Sequence, residues 1–193
     1  MSSKDLFQLL RSVSAVTGDE PLIIVGSQSA HGQVDWLPST VSMSIEVDIF
    51  LKPGTGLHRL LRTEYGMDSP YHAAHGVYAD PLGAGIVSLP PRWEERLVTL
   101  SAEDAGVTWQ ALEIYDTAVT KLMAGRAKDW SFLTELLFAG ALQAERFLER
   151  ALLMRETVHA GALRPRLEKL AAELRGRKMR SLADSVDAVV KDL

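Results

Sequence analysis

The feature that most constrains this chain is a change of character near residue 116. Before it, short β-prone runs alternate with amphipathic stretches and Gly/Pro breaks. From Thr117 onward, residues 117–125, 129–155 and 165–192 are Leu/Ala-rich at helical spacing, with local breaks at Gly125, Gly140, "HAGALRP" and Gly176. The pattern predicts an α+β fold: a small mixed β-sheet flanked by helices over 1–116, then a helical C-terminal part over 117–193. One compact domain overall is the alternative division. At 193 residues and 47% apolar composition, such a chain can bury a core without covalent staples. It has no cysteine, which excludes disulfides, thiolate metal sites and a Cys nucleophile.

Within the front half, Leu6, Leu9, Leu10, Val13 and Val16 give a helix over 3–17, capped by Ser2 or Ser3 and broken at "TGDEP". "LIIVG" reads as a short buried strand, and Ser27 to about Gly32 as the first turns of a helix. "STVSMSIEVDIFLKP" alternates at period two. It predicts a strand over 41–50 with Val41, Met43, Ile45, Val47 and Ile49 on one face, ended by Pro53 and Gly54. "GLHRLLRTEYG" reads as a helix closed by Gly66. After a polar loop, "HGVYADPLG", "AGIVSLP", "ERLVTLS" and "WQALEIYD" read as further strands.

Two acidic side chains, Glu46 and Asp48, stand two residues apart on the predicted strand, so both point to the same face. Like charges this close need a positive neighbour, and a divalent cation such as Mg²⁺ supplies one. A solvent-facing pair on an edge strand is the other reading. The Gly26-Ser27 turn precedes them by 20 residues, and a strand end that opens on Gly-Ser can present backbone N–H groups to an anion. Asp80, at the end of "VYAD", is a candidate third carboxylate. Lys121, Arg126, Lys128 and Asp129 cluster in "KLMAGRAKD", as suits either a triphosphate or a solvated helix face.

A strand ending in Gly-Ser, a short helix, and a strand with an acid-x-Asp pair together resemble the nucleotidyltransferase superfamily of the DNA polymerase β type. "KLMAGRAKD" resembles the Lys-x-x-Ala…Arg…Lys/Arg-Asp motif of AbiEii-like nucleotidyltransferases, the toxin components of type IV toxin–antitoxin systems. "VYADP" resembles the apolar-x-x-Asp motif between them. The order of these pieces, with "LPPRWEERL" in the middle, is also similar to an uncharacterised bacterial family of that superfamily. The resemblance spans roughly residues 21–137. It implies a sheet of nucleotidyltransferase type and a Mg²⁺-dependent transfer of a nucleotidyl group from an NTP to a hydroxyl acceptor, whether RNA, a protein or a small molecule. By position, Gly26 and Ser27 would hold phosphates, and Glu46 and Asp48 would bind Mg²⁺. Asp80 would complete the metal set or activate the acceptor hydroxyl. Lys121 would contact the nucleotide phosphates, with Arg126, Lys128 and Asp129 supporting it. An antitoxin is the partner the toxin likeness implies.

The chain departs from the pattern in three places. Glu46 stands where Asp is common, Ser42 and Ser44 stand where an Arg and a Thr are usual, and the Gly26-to-Glu46 spacing is long. A catalytically silent protein of this fold, binding nucleotide or another protein, is the alternative these departures raise. A helical assembly module that dimerises through 129–192 is a further reading. The net charge of −4 argues against nucleic-acid binding by the whole surface, although Arg164 to Arg180 is locally basic. No apolar run reaches bilayer length and the N-terminal stretch lacks a continuous apolar core, so the expected location is the cytoplasm. His72 and His75 read as polar loop residues rather than a zinc pair, and His31 as a satisfied surface histidine beside the turn, with contact to a ligand as the other reading. Trp93, Trp109 and Trp130 read as core-packing or interface residues rather than base-stacking ones. "GSQSAHG" is not a G-x-S-x-G elbow, which argues against Ser27 or Ser29 as a hydrolytic nucleophile.

Overall fold

The computed structural model describes residues 1–18, 22–52, 54, 56–83, 85–101 and 108–193. Asp19–Pro21 of the predicted breaker and Pro53 lie outside the described residues. The chain divides into two compact units, Met1–Val87 with Glu94–Glu113, and Ser88–Trp93 with Ile114–Leu193.

The first unit opens with α1 (Ser3–Thr17). Ser2 and Asp5 form its capping box: the Asp5 N–H donates to Ser2 Oγ and the Ser2 N–H to Asp5 Oδ2, at 3.2 and 3.3 Å. One stripe of the helix, Leu6, Leu9, Leu10 and Val13, is buried. Each such side chain contributes about 2 kcal/mol by leaving water. The stripe packs on a five-stranded mixed sheet of β1 (Ile23–Val25), β2 (Glu46–Phe50), β3 (Tyr78–Leu82), β4 (Val98–Ser101) and β5 (Thr108–Ala111), in the order β3-β2-β1-β5-β4. β1 runs antiparallel to β2 and parallel to β5, β2 parallel to β3, and β4 antiparallel to β5. Ile24, Val47, Ile49, Ala79, Leu100, Trp109 and Ala111 share one core with α1 and with Leu61 of α3 (Leu57–Tyr65). Period two therefore turns Glu46, Asp48, Tyr78 and Asp80 to the opposite face.

The parallel β2–β3 pair needs a crossover. It is made by α3, closed at Gly66, and by α4 (Pro70–His75). The predicted polar loop thus contains a helix: Ser69 Oγ accepts the His72 N–H at 3.1 Å, Pro70 opens the first turn, and Gly76 ends it left-handed. β3 lies at the sheet edge among the described residues, and this placement accommodates Pro81 within it. The Tyr78 N–H donates to Ile45 O at 3.0 Å and Leu82 O accepts the Leu51 N–H at 2.9 Å. Residues 78, 80 and 82 thus face β2, whereas Pro81 faces away and withholds no ladder bond.

The strand expected over 41–50 is shorter. Residues Ser39–Met43 form a five-residue helix, α2, and the strand begins at Glu46. Pro38 sets a helix-compatible φ at its start, and only Val41 of the three alternating residues enters the core; Met43 and Ile45 are exposed. The residues expected to start a helix after Gly26 form one 3₁₀ turn, Ser27–Ala30. Gly85–Leu89 of "AGIVSLP" are not strand, and Ile114 to Asp116 of "WQALEIYD" already belong to a helix.

The second unit holds five α-helices among the described residues: α5 (Ile114–Ala124), α6 (Ala127–Phe138), α7 (Ala144–Leu152), α8 (Ala160–Gly176) and α9 (Arg180–Lys191). The predicted breaks at Gly125 and Gly140 fall between helices, each with positive φ. α8 begins at Ala160, before Pro165, which sits early enough in the helix to remove a single i→i−4 bond, to Gly161. Leu163, Leu167, Leu170 and Leu174 form its buried stripe. Arg150 donates to the fully buried Asp116 at 2.6 Å, joining α7 to α5.

Candidate functional site

Strand register brings the front-half candidates together. Asp48 lies on the middle of three strands, paired on one side with Val25 and on the other with Asp80. Glu46 is paired with Tyr78, one pleat further along the same face. Glu46, Asp48 and Asp80 are all half-buried. Asp80 is in mid-strand, not at the strand end the sequence suggested. Its carboxyl is held above the usual range by burial and by the charge of Glu46, while Arg62 and His58 of α3 pull it down. Tyr78 donates its hydroxyl to Glu46 Oε2 at 3.0 Å. The phenol is pushed up to about 12, first by burial, then by that hydrogen bond and by the charges of Glu46, Asp80 and Asp48.

The Gly-Ser turn reaches the same place because Gly26 directly follows Val25, the partner of Asp48. Gly26 has φ +71°, a region that glycine occupies without strain, and a Cβ added there would fall on Asp48 Oδ2 and stand 2.8 Å from Asp48 Cγ. Backbone and carboxylate are thus in direct contact. The turn is anchored from behind: Ser29 Oγ donates to Gly26 O at 2.8 Å, and Gln33 Nε2 to Ser29 O at 2.6 Å and Leu112 O at 2.9 Å.

His31 is buried at this turn, not on the surface as the sequence reading had it. Gln28 Nε2 donates to Val41 O at 3.1 Å, so Gln28 Oε1 faces His31 Nε2, 2.9 Å away. His31 Nε2 therefore carries the proton, and Nδ1 accepts the Ser3 hydroxyl at 3.1 Å. Burial, with a smaller push from the N-terminal ammonium, lowers the His31 pKa to about 4. Between pH 6.5 and 4 the unfolded chain binds a proton at this residue that the folded chain does not, so stability falls as pH drops through that window. Urea unfolding at pH 5 should give a stability about 2 kcal/mol below that at pH 7.5. His31→Asn should flatten this slope, and an unchanged slope would rule out His31 as its source.

Lys121, Arg126, Lys128 and Asp129 belong to the second unit. Asp129 is fully buried; Lys121 Nζ lies 3.3 Å and Arg126 Nε 2.8 Å from its carboxylate. The Arg126 N–H also donates to Asp129 Oδ2 at 3.0 Å, which caps the start of α6. Burial pushes Asp129 up, but the Arg126 hydrogen bond and the Lys121 charge outweigh it and hold the carboxyl below its usual range. Lys128 is exposed. Asp129→Ala would leave the buried Lys121 ammonium without this partner, whereas Arg126 can turn to solvent. The expected loss is about 2–3 kcal/mol, read as a drop in thermal midpoint. A midpoint within 1–2 °C of wild type would show that the cluster holds nothing together.

The carboxylate set can be tested for a metal. Among the described residues, no three His, Cys, Asp or Glu side chains form a ready-made cluster of ligands. Mg²⁺ does not require one, since it takes one or two carboxylates and completes its shell with waters and substrate phosphates. The cross-strand Asp48–Asp80 pair beside the Gly26 backbone fits that demand. Tyr78 and Gln28 escaped the sequence reading, which named His31 but expected it on the surface. Tyr78 was within its reach, because it stands two residues before Asp80 and period two puts both on one face.

A mixed sheet carrying an acid-x-Asp strand beside a Gly-Ser turn is the arrangement of the nucleotidyltransferase class. The family model described as nucleotidyltransferase of unknown function (DUF6036) matches residues 4–175, and the chain belongs to that family. No curated protein and no solved structure matches the chain. Among the described residues, no helix is long and apolar enough to cross a membrane.

Proposed function

We propose that the chain transfers a nucleotidyl group from an NTP to a hydroxyl acceptor, with Mg²⁺ held among Glu46, Asp48 and Asp80, one or two carboxylates to an ion, and the phosphates set against the Gly26-Ser27 turn. The observation that carries this reading is the register pairing of Asp48 with Asp80 beside the Gly26 backbone. The acceptor oxygen bonds to the α-phosphorus, the bond from that phosphorus to the bridging oxygen breaks, and pyrophosphate leaves. Bound Mg²⁺ supplies neutralisation of the phosphate charge. Gly26 lets a phosphate approach the backbone, and Ser27 adds an N–H and a hydroxyl. Asp80 either completes the metal set or, where it carries no metal, accepts the proton of the acceptor hydroxyl. The likeness of "KLMAGRAKD" to AbiEii-like enzymes supports a toxin-like role with an antitoxin partner.

The test uses each α-labelled NTP with Mg²⁺ and, in separate arms, total RNA, protein extract and a small-molecule fraction. Label appearing in one arm, with release of pyrophosphate, identifies the acceptor class. Nucleotide binding by calorimetry without label transfer in any arm favours a silent binding module, and no binding at all sinks the reading.

A further inference from the structure

We infer that Tyr78 is a positioning residue for Glu46: its hydroxyl fixes the Glu46 carboxylate in the orientation in which it serves a divalent cation together with Asp48, its neighbour on the same strand face. This rests on the metal role proposed above. A glutamate has one more side-chain torsion than an aspartate, so on an open strand face its carboxylate samples more positions. A ligand that wanders binds a metal weakly, and hydrogen bonds to ligating carboxylates counter this.

Tyr78 has the properties of such a guide. It is the register partner of Glu46 across β2 and β3, so the two side chains leave the sheet side by side on one face. Its backbone is bound to Ile45 O at 3.0 Å, the residue is 7% exposed, and the His72 ring meets its ring edge-on at 5.0 Å. The donor is therefore fixed, and the half-buried Glu46 comes to it, giving Oε2 to the hydroxyl at 3.0 Å. An aspartate at 46 would be one methylene too short to keep that bond while its backbone stays in register.

The test is Mn²⁺ titration of the full chain without nucleotide, followed by the loss of the free-ion electron paramagnetic resonance signal. Tyr78→Phe, which deletes only the oxygen, should weaken Mn²⁺ binding about 10-fold. The circular dichroism spectrum and melting point should stay close to wild type. In a Glu46→Gln background, Tyr78→Phe should change the affinity no further, because the group it guides is gone. Should Tyr78→Phe fail to fold, Glu46→Asp, which leaves the ring in place, should show the same 10-fold weakening. Wild-type affinity in Tyr78→Phe, with Glu46→Gln still weakened, overturns the inference and leaves the metal role standing. Absence of Mn²⁺ binding by the wild type overturns both.

Discussion

Asp48→Ala is expected to reduce nucleotidyl transfer at least ~10³-fold while leaving the protein folded, because charge neutralisation supplies most of the acceleration in this chemistry. Asp48 is the one carboxylate that touches every part of the proposed site. It is paired with Asp80, lies two residues from Glu46, and rests its Oδ2 against Gly26. Removing it separates the remaining carboxylates from the turn. The fold should tolerate the loss, since Asp48 is only half-buried and lies outside the apolar core face of β2. A melting point within a few degrees of wild type is therefore expected. Labelled NTP turnover compared with wild type is the measurement, and retention of more than about a tenth of the activity would exclude Asp48 from the metal set. Asp48→Asn separates charge from shape: it keeps the contact with Gly26 and should be as inactive as the alanine variant.

Gly26→Ala is expected to act on stability and activity together. The new methyl would occupy the position of Asp48 Oδ2, and the backbone would be held at φ +71° and ψ −158°, a region reserved almost entirely for glycine. The strained backbone and the displaced carboxylate together should destabilise by about 3–4 kcal/mol and lower turnover at least ~100-fold. A double variant divides the two causes. Adding Asp48→Ala removes the overlap and leaves the backbone strain, so roughly half of the lost stability should return. Urea unfolding of the four proteins in this cycle is the measurement. If no stability returns, the backbone conformation is the whole effect, and the contact with Asp48 is incidental.

Where the sequence could be read, it was because a local rule decided the structure. α1 is announced by its capping serine and its apolar stripe, of which Leu6, Leu9, Leu10 and Val13 are buried and Val16 is exposed, and α3 by the glycine that closes it. Period two placed Glu46 and Asp48 on one face without knowledge of their neighbours. Register is different. That Asp48 meets both Gly26 and Asp80 depends on how three strands align, and nothing within any one of them states it. The start of β2 was misplaced for a related reason. Val41, Met43 and Ile45 alternate as a strand would, yet Pro38 favours a helical turn there and the core receives Val41 alone. His31 was assigned to the surface because a histidine flanked by Ala and Gly gives no sign that Gln28 and Ser3 will enclose it.

The position of Pro81 has a consequence for life in a crowded cell. A sheet edge with a free row of N–H and C=O groups is a template on which a second chain can add a strand, a common route to aggregation. β3 is such an edge among the described residues, and it carries Asp80, whose proposed role requires access that a covering helix would deny. The outward-facing proline removes one donor from the row at the position after Asp80, so an incoming strand cannot complete a ladder there. The edge can thus stay open to a substrate and closed to a strand.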